Sequence, residues 1–230
     1  MKEYTDRDII TSWQKNAQPW INVMRDGGIE SRVLVTNHAI INAIRSREPK
    51  SVLDIGCGEG WLVRVLQHVG IHAVGVDVSL DCITYAQNAG PGKFTAISYE
   101  EISKENVNEK FDVVVCNFSL LGNESVNHIF NLVPSILHRH GSFIVQTLHP
   151  IVACGEEPYE DGWRAGSWDG FSKQFHDPPP WYFRTLDSWK TLFHRNGFKI
   201  NEVVEPIHPH TKKPASIIFI AESIKNLGLP

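Results

Sequence analysis

A chain of 230 residues with 42% hydrophobic content can bury one full core and is somewhat long for a bare nucleotide fold, so one domain with lid elements is expected. A formal net charge of -4 and a pI of about 6.2 argue against a protein that lives on the nucleic-acid backbone or on anionic lipid, and suit small-molecule chemistry. Cys57, Cys82, Cys116 and Cys154 are scattered with no C-x-x-C pair, which removes the usual zinc and redox motifs and fits a reducing cytoplasm.

The sequence opens MKEYTDRDII, with acids among its first residues, and nowhere do about 18 apolar residues follow one another. A soluble, cytoplasmic protein with no membrane partner is therefore expected. Positions 8–24 read as a helix with Ile9, Ile10, Trp13, Ala17, Trp20 and Ile21 at near-helical spacing and an interruption at Pro19. Asp26-Gly27-Gly28 breaks it, and Ser31 precedes a second helix over 32–45. Lying before the first strand, these helices can fold over its C-terminal end or only pad the sheet.

The stretch Ser51-Val52-Leu53-Asp54-Ile55-Gly56-Cys57-Gly58-Glu59-Gly60-Trp61-Leu62 runs from a short apolar strand through three alternating glycines into a helix. Such glycines let the backbone take positive φ and let a ligand lie directly on the main chain. A dinucleotide fingerprint reads G-x-G-x-x-G, but here the third glycine comes one position early and Trp61 stands in its place, which disfavours a pyrophosphate. The pattern Asp54-x-Gly56-x-Gly58-x-Gly60 resembles the first motif of class I S-adenosylmethionine-dependent methyltransferases, of the small-molecule kind similar to the ubiquinone and menaquinone biosynthesis group. An ordinary glycine-rich turn is the alternative. The resemblance implies an α/β, Rossmann-like fold whose seven-stranded, mostly parallel sheet has strand 7 inserted antiparallel between 5 and 6. It also implies S-adenosylmethionine as cofactor, S-adenosylhomocysteine as product, and N-terminal helices that cover the cofactor. Asp54, Gly56, Cys57, Gly58, Gly60 and Trp61 would then lie at the cofactor.

Positions 73–77 form a second buried strand ending in Asp77, 23 positions after Asp54. An acid there can accept hydrogen bonds from both ribose hydroxyls, with Val78 and Ser79 beside it, or it can merely cap the helix over 80–89. The third strand, 94–97, leads into Ser98-Tyr99-Glu100, where family members carry an acid or amide for the adenine amino group. That contact stays open between Tyr99, Glu100 and the backbone. The run from Phe111 to Leu121 is β-branched enough for a central parallel strand and resembles the family's fourth, which puts Asn117, Phe118 and Ser119 at the cofactor. A helix over 126–138, closed by Gly141, precedes the fifth strand at 142–148.

His149 then stands at the C-terminal rim of the sheet, where open α/β folds bind ligands, and is the one catalytic candidate. A turn histidine held by backbone is the competing reading. The insertion at 151–185 has no clear secondary-structure pattern and reads as a lid or as a self-packed flap. Trp163, Trp168, Tyr182 and Arg184 from it, with Trp13 and Trp20 from the first helix, are the expected substrate contacts, suited to a planar or anionic molecule. Asp177-Pro178-Pro179-Pro180 is a rigid loop and no aminomethyltransferase tetrad, which would sit where this chain has Asn117-Phe118-Ser119-Leu120. A helix over 187–196 and two strands, 198–205 and 215–222, complete the chain. His138-x-His140 and His208-x-His210 lack a nearby acid or cysteine, so no metal is expected.

The expected organisation is one domain, 1–230, with a helical cap at 1–48, a cofactor-binding core at 50–150, the lid at 151–185 and a helix with a hairpin at 186–230. Its partner would be a small-molecule methyl acceptor, with no nucleic acid. A nucleotide-dependent oxidoreductase and a catalytically silent adenosylmethionine-binding protein are the rival readings.

Overall fold

The structure is a computed structural model and describes residues 3–224. The residues at 1–2 and 225–230, which close the expected cap and hairpin segments, lie outside the described residues. Its centre is a seven-stranded sheet in the order β3-β2-β1-β4-β5-β9-β8. The strands are β1 (Ser51–Ile55), β2 (His72–Asp77), β3 (Lys93–Ala96), β4 (Phe111–Asn117), β5 (Leu137–Thr147), β8 (Phe198–Val204) and β9 (Ile217–Ser223). All pairs from β3 to β5 are parallel, and β9 runs antiparallel to both β5 and β8. The sheet thus has the expected order, with the last strand inserted beside the fifth.

Successive side chains of a strand point to opposite faces, so the buried apolar runs supply two cores. On one face Leu53, Val114 and Phe143 pack with Phe130 of α7 (Glu124–Ile136) and Phe193 of α9 (Leu186–Arg195). On the other, Val52, Val113 and Ile144 meet Ile40 of α3 (Asn37–Arg45) and Leu62 of α4 (Trp61–His68). The helix α5 (Leu80–Ala89) extends this second layer through Ile83 and Ala86. Burying each such side chain contributes about 1.5 to 3 kcal/mol, so both layers hold the strand ends rigidly in place.

Four local expectations change. The first helix is two, α1 (Asp6–Lys15) and α2 (Ala17–Arg25), broken at Asn16 and not at Pro19. Pro19 falls in the first turn of α2, where its missing N–H is not needed. The expected helix over 32–45 begins with a π-helical turn, Arg32–Thr36, before α3. The helix α7 ends at Ile136 and not at Gly141, and β5 starts at once. Phe111 pairs with Leu137 but Val113 with Ser142, so the four intervening residues bulge out, with His140 at φ 67°. The short helix α6 (Lys104–Val107) had no sequence signal strong enough to place it.

The segment over 151–185 is more ordered than expected. It opens in α8 (Pro150–Ala153) and contains the antiparallel pair β6 (Gly162–Arg164) and β7 (Trp181–Phe183). Its loop is docked onto the N-terminal helices. Asn16 Nδ2 donates to the His176 carbonyl at 2.7 Å, His176 N–H donates to Asn16 Oδ1 at 2.9 Å, and Ser12 Oγ donates to the Asp177 carbonyl at 2.5 Å. Lid and cap therefore form one cover, joined at Asp177 of the Asp-Pro-Pro-Pro stretch. Among the described residues, no helix is long and apolar enough to cross a membrane, and no group of three or more His, Cys, Asp or Glu is placed to hold a metal.

Candidate active site

The site starts from the glycine turn after β1. Gly56 and Cys57 N–H both donate to the Val76 carbonyl, at 2.8 and 3.0 Å, which pins the turn against the end of β2. Gly56 sits at φ 77°, and a Cβ there would strike Ser119 Cβ and Tyr99 Oη, so its bare Cα lets the turn pack against the ends of β3 and β4. Gly58, at φ 56°, lies beneath Trp20, whose Nε1 would be 3.4 Å from an added Cβ, and is the barer backbone that a ligand can approach. Gly60 also serves packing: a Cβ on it would strike Phe94 Cε1 at 2.6 Å and Ala86 at 2.9 Å, between α4, α5 and β3. Expected as a cofactor contact, Gly60 does not line the cavity.

Above the turn lies a cavity of about 300 Å³, at the small end of the range for ligand sites. Asp54, Gly56, Cys57, Gly58 and Trp61 contribute to its floor, with Asp77, Val78 and Ser79 from the end of β2. Tyr99 and Glu100 line it after β3, and Asn117, Phe118 and Ser119 after β4. Trp13, Trp20 and Arg32 close it from the cap and Trp168 from the lid. The four stretches after β1, β2, β3 and β4 meet here because parallel strands all end on one rim, and cap and lid close over them.

Asp77 Oδ2 accepts the Gly58 N–H and Oδ1 the Ser79 N–H, each at 2.8 Å, while Ser79 Oγ accepts the Cys82 N–H at 3.3 Å to cap α5. Ser79 is the helix cap, which leaves Asp77 to organise the turn and present its remaining lone pairs to the cavity. Burial pushes the Asp77 carboxyl up, against the backbone N–H bonds that pull it down. Asp77→Asn keeps an acceptor but loses the charge, and is expected to weaken adenosine-containing ligands by about 1.5 to 3 kcal/mol in a calorimetric titration. Unchanged affinity would place the ribose elsewhere.

Polar groups at the end of β4 are held for use. Phe118 takes φ 57°, a strained value for a non-glycine residue, and its N–H is fixed to the Gln146 carbonyl at 2.8 Å. Ser119 Oγ donates to the Ile55 carbonyl at 2.7 Å and Tyr99 donates to the Ser119 carbonyl at 3.1 Å. Asn117 Oδ1 is buried with no hydrogen-bond partner.

Arg32 projects from the π-helical turn into the cavity between two rings, 5.3 Å from the centroid of Trp20 and 5.1 Å from that of Phe118. Its one hydrogen-bond-range contact among the described residues is Nη1 to Met24 Sδ at 3.7 Å, so the fork has no carboxylate partner in direct contact. Burial lowers the guanidinium to about 10, with Glu59 and Asp54 opposing the shift. Asp54 is 2% exposed, its Oδ1 has no hydrogen-bond partner, and burial with Asp77 and Glu59 nearby raises its carboxyl to about 8 while Arg32 opposes. Glu59 is taken by Arg64, at 2.5 Å.

Four further expected site residues, besides Gly60, are elsewhere. His149 is buried outside the cavity, with Nε2 2.9 Å from Glu205 Oε1, tying the end of β5 to the end of β8 rather than facing the site. Arg184 is spent on the backbone after β4, donating to the Gly122 carbonyl at 2.8 Å and to Asn123 Oδ1 at 3.2 Å. Trp163 and Tyr182 pack edge to face on each other across β6 and β7, at 5.6 Å. The cavity instead takes Asp6, Ile9, Ile10, Leu121, Leu148 and Phe171, of which Ile9, Ile10 and Phe171 carried a hint in their apolar patterning. Asp6 carried none.

Bare backbone at Gly58, unpartnered buried oxygens on Asp54 and Asn117, and an arginine fork without a carboxylate together fit a ligand with a nucleoside and an amino acid. The class that this fold and site define is the class I S-adenosylmethionine-dependent methyltransferases. Comparison agrees: a family model described as a methyltransferase domain matches residues 34–203, and the chain belongs to that family. Among solved structures, magnesium protoporphyrin IX methyltransferase from Synechocystis with bound S-adenosylmethionine aligns with a TM-score of 0.63 at 16% identity, covering 97% of this chain and 100% of that one, a likeness of fold. A ubiquinone biosynthesis O-methyltransferase from Hydrogenovibrio crunogenus is 27% identical over 115 residues, 48% of this chain and 48% of that protein. A "Probable tRNA (uracil-O(2)-)-methyltransferase" from Caenorhabditis elegans is 32% identical over 78 residues, 34% of this chain and 13% of that protein. The matches thus span about half or less of these curated relatives.

Proposed function

We propose that the protein transfers the methyl group of S-adenosylmethionine to a small-molecule acceptor held beneath the cover made by cap and lid. The observation that carries this reading is one cavity with a glycine floor, an acid at the end of β2 and an aromatic roof. When bound, the cofactor supplies an electrophilic methyl on a sulfonium and a thioether leaving group, so strong acid or base help is not obligatory. Asp77 would hold the ribose, and Arg32 and Asp54 the carboxylate and amino group of the methionine part. Asn117, Phe118 and Ser119 would flank the reacting end. Trp13, Trp20 and Trp168 exclude water and orient the acceptor, a proximity effect worth up to about 7 to 11 kcal/mol in well-aligned systems.

An RNA acceptor is disfavoured by the lining, where Asp6, Asp54, Asp77 and Glu100 face a single guanidinium, that of Arg32. The test has two stages. Saturating S-adenosylmethionine or S-adenosylhomocysteine should raise the melting temperature, since a ligand at 100 times its Kd adds about 2.7 kcal/mol to the folded state. A shift with NAD and none with these ligands would sink the reading and favour an oxidoreductase. S-Adenosylhomocysteine release is then followed across a small-molecule panel and bulk tRNA. Turnover with tRNA alone would overturn the small-molecule acceptor, and binding without turnover on any acceptor would favour a silent binding protein.

A further inference from the structure

The acceptor half of the cavity is aromatic, as suits a planar ligand, but lacks the Arg184 that was expected to line it. Its walls are Ile9, Ile10, Trp13, Leu121, Trp168 and Phe171, all apolar or aromatic. Trp13 and Trp168 meet edge to face at 5.7 Å, and Trp168 packs on Phe171 at 5.3 Å. Into this wall comes one ionisable side chain, Asp6, the first residue of α1. Its Oδ1 accepts the Asn123 N–H at 2.9 Å and its Oδ2 the Ser125 N–H at 2.6 Å, so the carboxylate is clamped at the entry to α7. Gly122 makes room for it, since a Cβ there would come within 2.7 Å of Asp6 Oδ2.

The cations that would welcome an acid are turned away. Arg184 lies near enough to Asp6 for the two charges to attract, but it spends its hydrogen bonds on the Gly122 carbonyl and Asn123 Oδ1 and does not line the cavity. Arg164 donates to the Pro158 carbonyl at 2.7 Å and lies 3.5 Å over the Phe183 ring. Among the described residues Arg32 is the only lysine or arginine on the lining, and the proposed cofactor brings a carboxylate of its own to meet it. A second carboxylate or phosphate would face Asp6, Asp77 and Glu100 with no cation left.

We propose that the methyl acceptor is a planar apolar molecule bearing a basic nitrogen, and that Asp6, set in its aromatic wall, selects it by pairing with the cationic form of that nitrogen. This rests on the methyltransferase reading above. Two N–H bonds fix the carboxylate in place while each oxygen keeps a lone pair for the ligand. The indole and phenyl faces around it favour a cation near their rings and accept a flat skeleton. Asp6 is thus a binding residue and needs to take no part in the displacement itself.

The experiment uses the whole protein saturated with S-adenosylhomocysteine, which blocks turnover, and titrates paired aromatic amines and aromatic acids of matched skeletons, tryptamine against indole-3-propionate among them. The amines should bind about tenfold tighter or more. Asp6→Asn should erase that preference while S-adenosylhomocysteine affinity holds, and Asp6→Glu should keep part of it. Acids binding as well as amines, neither class binding at millimolar concentration, or Asp6→Asn weakening both classes equally would each overturn the proposal. Should the variants fail to fold, the preference of the wild-type protein decides alone. Failure of S-adenosylhomocysteine to bind at all would instead strike the methyltransferase reading.

Discussion

Replacing Arg32 with alanine is expected to weaken S-adenosylmethionine by about 2 to 5 kcal/mol, the usual cost of removing one partner from a buried, hydrogen-bonded charge pair. The glycine turn offers backbone N–H groups but no formal charge for the cofactor's carboxylate. Arg32 lines the cavity, is desolvated between Trp20 and Phe118, and touches no carboxylate directly. Its fork can meet a carboxylate with two parallel hydrogen bonds. Methylthioadenosine, which has no carboxylate, supplies the control and should lose far less. Equal losses for both ligands, or none for either, would show that Arg32 serves only to pack the cap.

The second large effect concerns pH. Burial, with Asp77 and Glu59 close by, raises the Asp54 carboxyl to about 8, whereas in the unfolded chain it titrates near its ordinary value of 3.8. The native state therefore holds a proton that the unfolded state has already lost. The stability from this protonation is complete below about pH 4 and is lost as pH rises through about 8, a drop on the order of 6 kcal/mol at about 1.4 kcal/mol per pKa unit. Asp54→Asn carries no titrating proton. Its melting temperature should fall less steeply from pH 5 to 9 than that of the wild type and exceed it at the alkaline end.

Cofactor binding adds a sharper readout for the same residue. A ligand ammonium beside Asp54 favours the ionised carboxylate, so binding near pH 7 should release up to about one proton. Calorimetry in two buffers of different ionisation enthalpy measures that release. It should vanish in Asp54→Asn, which should also bind S-adenosylmethionine more weakly. Parallel pH profiles for the two proteins, together with identical proton release, would remove Asp54 from this role.

The sequence by itself determined the sheet and the floor of the site. Strands such as Val113-Val114-Val115 are contiguous apolar runs, and Gly56 and Gly58 sit a fixed number of residues from Asp54 and Asp77, so every feature that places them is local. Buried parallel strands must then end on one rim, which brings Asp77 and Asn117 to one cavity. What the tertiary structure alone decided is what covers that floor. Asp6 reaches Ser125 across 119 positions, Arg184 reaches Gly122 across 62, and Asn16 grips His176 across 160. A side chain's local sequence is the same whether its charge faces a ligand or a backbone carbonyl. Arg184 and His149 therefore read as site residues but brace backbone and strand ends, while Asp6, which lay before the expected helix and carried no signal, stands on the cavity wall. Gly60 repeats the lesson within the motif itself: its spacing matches its neighbours, but only the approach of Phe94 and Ala86 from β3 and α5 reveals that it is there for packing.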